Sequence, residues 1–347
     1  MRTSLYLLLI CLLASSAHSQ WVKQNVNTTA SLRGLSVVNE KVVWASGTGG
    51  TVIRTIDGGK TWNVIVVPGA EKLDFRDIEA FDATTAYILS IGNGESSRIY
   101  KTTDGGTNWN LQFKNANPKA FFDAMACWDK NNCVAMSDPV DRKFVLIQTK
   151  DGGKNWTPMD TSKMPEANDG EAAFASSGTC IITQGKNNLF LVTGGTDARV
   201  FRSNDRGATW AVAETPIVKG TSGSGIFSIA MFDDKNGVIV GGNYERPVET
   251  KDSLAFTSDG GINWSIGTGI KGYRSAAAYR MREVLFAVGS SGSDVSGDGG
   301  KTWAHLDDLN YNSVQAFGTE KLWAVGANGL VSRFYLQPDF YGPRTNQ

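Results

Sequence analysis

Histidine is nearly missing. Of the two in 347 residues, His18 falls in the opening segment, and only His305 stands in the body of the chain. A Ser-His-Asp triad or a histidine-rich metal centre needs imidazoles at the reacting atoms, so both are set aside. Charge imbalance is missing too: 34 Lys and Arg offset 34 Asp and Glu, with no block of one sign. No nucleic-acid footprint is therefore visible. The one apolar run, residues 5–13, is too short to cross a bilayer as a permanent helix. Phosphate loops are absent as well. Gly59-Lys60-Thr61 and Gly300-Lys301-Thr302 resemble the end of one, yet Arg54 and Val295 occupy the earlier position where glycine is required. Gly47-Thr48-Gly49-Gly50 joins two strands and opens no helix, so a dinucleotide fingerprint is not supported. No cofactor and no metal is expected.

The opening residues, one early Arg2, a short apolar stretch and small residues at Ala17 and Ser19, read as a secretory signal peptide over 1–19. Ile10 stands before Cys11 where a lipid-attachment signal wants a small residue, which argues against a lipoprotein. The expected product is exported, periplasmic or secreted, a monomer without a stable membrane span. Three cysteines then remain in a compartment that permits disulfides: Cys127, Cys133 and Cys180. The first two flank Trp128-Asp129-Lys130-Asn131-Asn132, a tight turn between strands that brings them close enough to bridge. A bridge and two buried thiols both stay open.

What the chain has in quantity is one eight-residue pattern, S/T-x-D-x-G-x-T/N-W. It appears first as Thr55-Ile56-Asp57-Gly58-Gly59-Lys60-Thr61-Trp62 and returns five times, with aspartates at Asp57, Asp104, Asp151, Asp205, Asp259 and Asp298. Successive aspartates lie 47, 47, 54, 54 and 39 residues apart, about the period of solenoids and propellers. The pattern is a hairpin turn: Asp accepts from nearby backbone N–H groups, Gly takes positive φ without steric cost, and Trp carries apolar surface back under the turn. These aspartates are structural. Asn27-Thr28-Thr29, Asn155-Trp156-Thr157 and Asn263-Trp264-Ser265 fit the glycosylation triplet, but the last two begin inside Asp turns and read as turn residues.

Ahead of each turn the same pieces recur. An inner strand opens each unit, with copies at Leu32-Arg33-Gly34-Leu35, Phe75-Arg76-Asp77-Ile78, Phe121-Phe122-Asp123-Ala124 and Gly170-Glu171-Ala172-Ala173. Ile226-Phe227-Ser228-Ile229, Tyr273-Arg274-Ser275-Ala276 and Tyr311-Asn312-Ser313-Val314 complete the set. A small-residue strand and a third strand leading into the Asp turn follow, and the strand after the Trp completes four. Four short strands per repeat is the blade of a β-propeller. The chain thus reads as all-β, a single seven-bladed propeller over 20–337 with a tail at 338–347. The seventh unit lacks an Asp turn and a fourth strand, and the stretch Gln20-Trp21-Val22-Lys23-Gln24-Asn25-Val26 supplies the missing Trp and strand, closing the ring and removing a sheet edge.

In such blades the Asp turns share one face, and the starts of the inner strands gather with the long loops on the other. The second residue of each inner strand then rings the axial mouth: Arg33, Arg76, Phe122, Glu171, Phe227, Arg274 and Asn312. Three guanidiniums in one collar suit a carboxylate, phosphate or sugar-like ligand.

With six Asp boxes, seven blades and the Trp-Ala-x-Gly strands Val43–Gly47 and Leu322-Trp323-Ala324-Val325-Gly326, the chain resembles the photosystem II assembly and stability factor family. That resemblance implies a non-enzymatic protein that binds partners through an arginine-bearing face, to which Arg33, Arg76 and Arg274 are matched. No chloroplast-type transit region is apparent, so the expected setting is periplasmic or secreted. Asp boxes also occur in sialidases and other glycosidases, where Glu171 and Asp123 would serve as acid and nucleophile. Against that reading, Leu32-Arg33-Gly34-Leu35 lacks the Arg-Ile-Pro element of sialidases.

Overall fold

A computed structural model describes residues 20–319 and 321–335. The signal peptide expected at 1–19 and the tail at 338–347 lie outside the described residues. Among the described residues seven sheets follow one another along the chain, with a single helical turn, Gly94–Ser96, between strands. The inner strands are Leu32–Val37, Phe75–Ala80, Phe122–Asp129, Ile181–Gln184, Ser224–Met231, Ala276–Met281 and Tyr311–Phe317, in blades 1 to 7. Blade 7 is completed by Gln20–Lys23, antiparallel to Val331–Tyr335 in the register Trp21↔Phe334. The ends of the chain thus share a blade, as the missing fourth strand predicts.

Burial follows from position in the blade. Second strands are wedged between neighbouring sheets, so both faces are covered and the sequences run continuously apolar or small: Val43–Gly47, Ala86–Ser90 and Val284–Gly289 are buried throughout. Outer strands such as Asn63–Val66 and Asn110–Lys114 stay half wet. The core is therefore a set of wedges between blades. Trp44 of blade 1 packs with Phe75, Ile88 and Tyr100 of blade 2, and its indole donates to the Asp82 carbonyl at 3.0 Å. At the closing seam Trp323 of blade 7 meets Trp62 of blade 1 edge to face, 5.6 Å between ring centres.

The Asp turns repeat one hydrogen-bond set. Thr61 donates its backbone N–H to Asp57 Oδ1 at 3.0 Å and its hydroxyl to Oδ2 at 2.6 Å, while Thr55 Oγ accepts from Gly59 N–H at 2.9 Å. Asn155 and Asn263 spend their side-chain amides on Asp151 and Asp259 in the same way. Gly59 has φ +89°, and a Cβ there would stand 2.4 Å from the Trp323 ring, so a side chain is excluded twice. The N–H groups of Gly58, Gly105, Gly152, Gly260 and Gly299 reach carbonyls of the hairpin between strands one and two of the same blade. Those two kinds of turn therefore share a face. Val331–Tyr335 runs toward that face, and Arg333 reaches Gly58 there, so Gln20 and Tyr335 leave the ring on the Asp-turn side.

Blade 4 departs from expectation. Its inner strand is Ile181–Gln184, not the stretch at 170–173. Glu171–Ala172 is a short side strand paired with Gly194–Gly195, which in turn touches Gly225 of blade 5. The chain between the blade 3 Asp turn and Ile181 is an insertion, and its end, residues 173–178, crosses the axial face. Cys127 and Cys133 pair across the hairpin as a disulfide, with Cα atoms 4.0 Å apart, and Cys180 is a buried thiol.

Candidate functional site

A local irregularity aims the site residues. In five inner strands the pairing with the second strand skips one residue near the start: Arg33, Arg76, Asp123, Phe227 and Asn312. A bulge of this kind leaves one residue out of the ladder and re-aims its side chain. Here all five line a single depression of about 550 Å³ on the face opposite the Asp turns. Asp138, Phe174, Tyr244 and Tyr273 are also part of its wall. Other depressions, about 520 and 490 Å³, lie around the turn residues Asp205 and Asp259.

The mouth is not an open pore, because the end of the insertion crosses it. Arg33 donates to the Ser176 carbonyl at 3.1 Å and Arg76 to the Ala175 carbonyl at 2.9 Å. Ser176 and Ser177 continue across to the Tyr273 hydroxyl and the Ser275 carbonyl. Gly178, at φ +79°, passes so close to Asp77 that a Cβ would sit 2.4 Å from its Oδ1. The strap needs glycine at that point.

The two guanidiniums differ in their partners. Arg76 is neutralised by Asp74, 2.8 Å from its Nε. Arg33 forms no ion pair among the described residues. Burial, and then the charge of Arg76, pull its guanidinium below the ordinary value. The result is one guanidinium at the rim, Arg33, with no carboxylate in contact among the described residues.

Below and beside the arginines lie carboxyl groups. Asp123 is 1% exposed, and its Oδ2 accepts no hydrogen bond among the described residues. Burial, then the neighbouring Asp138, push its pKa well above the usual carboxylate range. Burial likewise lifts Asp138 to about 6, against the Ala173 N–H that it accepts at 2.8 Å. Asp77, deeper along the axis, is raised to about 7 by burial although Met125 and Ile78 donate to it. An aromatic wall stands on the other side. Phe174 and Phe227 stack with ring centres 3.9 Å apart, Tyr273 abuts Phe227 at 4.7 Å, and Tyr244 is 49% exposed at the edge of the pair.

Of the expected collar, Arg33, Arg76, Phe227 and Asn312 come together, and Phe122, Glu171 and Arg274 do not. Phe122 and Arg274 miss by one position, for the bulge residue is Asp123 in blade 3, and Ser275 takes the matching place in blade 6. Phe122 instead packs on Phe113, 5.3 Å between ring centres. Arg274 is fully buried, its Nε 2.6 Å from Asp294, and serves the interior of blade 6. Glu171 is held by Arg199 Nε at 3.0 Å, by a second contact to Arg199 Nη2, and by Thr193 and Asn168. It does not line the depression, so it and Asp123 do not form an acid and nucleophile about one cleft. Reading along the chain missed Asp138, which stands on the second strand of blade 3, Asn132–Val140, and Phe174, Tyr244 and Tyr273, which belong to loops. Among the described residues no group of three or more His, Cys, Asp or Glu is arranged to hold a metal ion, and no helix is long and apolar enough to cross a membrane.

A family model described as photosynthesis system II assembly factor YCF48 matches residues 13–156, which ends at the Trp of the third Asp turn. A solved structure of YCF48 bound to a D1 peptide superposes with a TM-score of 0.68 at 17% identity, covering 92% of this chain and 96% of that one. YCF48 from Cyanidioschyzon merolae gives 0.66 at 18%, covering 91% and 99%. A streptogramin B lyase gives 0.66 at 12%, covering 91% and 97%. At these identities the solved structures speak for the fold. No curated protein matches the chain. The protein is a seven-bladed Asp-box propeller similar to the photosystem II assembly factors, in sequence over its first three blades and in fold over nearly the whole chain.

Proposed function

From this likeness to assembly-factor propellers we propose that the protein is an exported, non-catalytic binding protein. Its partner is a protein segment bearing a carboxylate, taken up on the face that carries Arg33 and Arg76. The likeness to a propeller solved with a peptide supports a protein partner. The observation that carries the reading is the pair of adjacent guanidiniums of which only Arg76 has a carboxylate at hand. A charge-assisted bond from each to a ligand carboxylate contributes about 1.5–3 kcal/mol.

Fluorescein-labelled tetra-aspartate is a direct probe, with tetra-asparagine as its neutral control. Arg33→Gln with Arg76→Gln keeps an N–H donor for the Ser176 and Ala175 carbonyls but removes both charges. The double variant is expected to weaken tetra-aspartate binding by at least about a hundredfold, as two lost charged bonds require. Equal binding by wild type and double variant would remove the arginines from the site.

A further inference from the structure

The arginines account for one side of the depression; Asp123 has no evident purpose there. Its carboxyl is nearly sealed from water, lines the same depression, and has an oxygen with no hydrogen-bond partner among the described residues. A buried acceptor left without a donor is costly, and an ionised one more so. The matching bulge position in blade 2 holds Arg76, so the bulge itself does not call for a carboxyl.

The groups that face Asp123 come from three blades. Blade 2 supplies Arg76 and the buried Asp77, blade 3 supplies Asp138, and blade 4 supplies the Cys180 thiol, itself pushed up by burial and by these carboxylates. Arg76 favours an ionised Asp123, but its charge is already met by Asp74. Burial and Asp138 favour the proton and outweigh it. A carboxyl that keeps its proton is a hydrogen-bond donor, as in oxyanion sites where a neutral acid faces the developing charge.

We propose that Asp123 is the third member of the anion site, donating an O–H to the ligand carboxylate that Arg33 and Arg76 attract, so that ligand binding is linked to a proton. This rests on the proposed function and deepens it. A donor O–H and a ligand carboxylate share one proton favourably; a carboxylate at Asp123 repels the same ligand. Anion binding is therefore strong while Asp123 holds its proton and weakens as pH rises through its pKa, and the bound anion raises that pKa further. The ligand's own carboxylates are ionised above about pH 5 and do not contribute to the slope.

The test measures tetra-aspartate binding by fluorescence anisotropy from about pH 5 to about pH 10, a span that brackets a raised carboxyl and stays below arginine. Wild type is expected to lose at least about tenfold in affinity across it, the loss of one charged bond. Asp123→Asn keeps a donor that does not titrate, so it should bind at every pH with a slope flattened to about twofold. Asp123→Ala, with no donor, should bind weakly throughout, and Asp138→Asn should keep a steep slope. A flat wild-type profile, a steep profile in Asp123→Asn, or a slope abolished by Asp138→Asn would each overturn the assignment while leaving Arg-dependent binding, and thus the proposed function, intact. Tetra-aspartate binding that ignores the Arg33→Gln, Arg76→Gln pair overturns both.

Discussion

Glu171 and Arg274 show how this chain treats a charge taken out of water: each is given an ion-pair partner within its own blade. Glu171 and Arg199 are 0% and 8% exposed at their side chains, and Arg274 and Asp294 are both 0% exposed. Removing one member of such a pair strands the other. Glu171→Ala is accordingly expected to cost about 3–5 kcal/mol in urea unfolding, and the folded fraction should keep its affinity for tetra-aspartate. Loss of binding without loss of stability would return Glu171 to the site. The misreadings at Phe122 and Arg274 have one cause. A bulge breaks the two-residue period, so strands aligned on their first aromatic slip by one, as at Phe121-Phe122 in blade 3 and Tyr273-Arg274 in blade 6. Where the strand start was unambiguous, at Arg33, Arg76, Phe227 and Asn312, the aim was legible in the sequence.

At the scale of elements the Asp turn did the reverse. Its Asp, Gly and Trp positions are local chemistry with a fixed spacing, so blade number and ring closure could be read directly. Blade 4 could not, because its insertion carries a plausible strand, Glu171–Ala172, ahead of the true one, Ile181–Gln184. The crossing of residues 173–178 over the axis is set by contacts to distant blades, and no local period announces it. Closure itself rests on four residues. Trp21 is 9% exposed, packs on Phe286, Tyr311 and Phe334, and donates to Ser293 at 3.0 Å. Trp21→Ala should cost about 3–5 kcal/mol and bare the edge of Val331–Tyr335 for pairing with another copy. Calorimetry and size-exclusion chromatography check both; an unchanged melting temperature would mean that Gln20–Lys23 only rests on the ring.

The whole molecule carries two opposed sets of carboxyl groups. On the rim, side-chain hydrogen bonds from Thr61, Asn155 and Thr209, then their backbone N–H groups, hold Asp57, Asp151 and Asp205 at about 2. Their contribution is present above about pH 4, the value in the unfolded chain, and is lost as pH falls toward about 2. Along the axis burial raises Asp138 to about 6 and Asp77 to about 7. Their contribution is complete below about pH 4 and is lost as pH rises through those values. The melting temperature should therefore peak between about pH 4 and 6. Asp77→Asn and Asp138→Asn should each flatten the decline on the alkaline side, and a wild-type profile level from about pH 4 to 8 would contradict the burial argument.

Gln20 pairs with Tyr335 on the rim that bears the Asp turns, on the side away from the strap and the arginines. Whatever is joined to the ring at either end, a tether, a bead or another domain, is therefore attached from behind. The face that bears Arg33 and Arg76 is thereby left pointing away from the attachment.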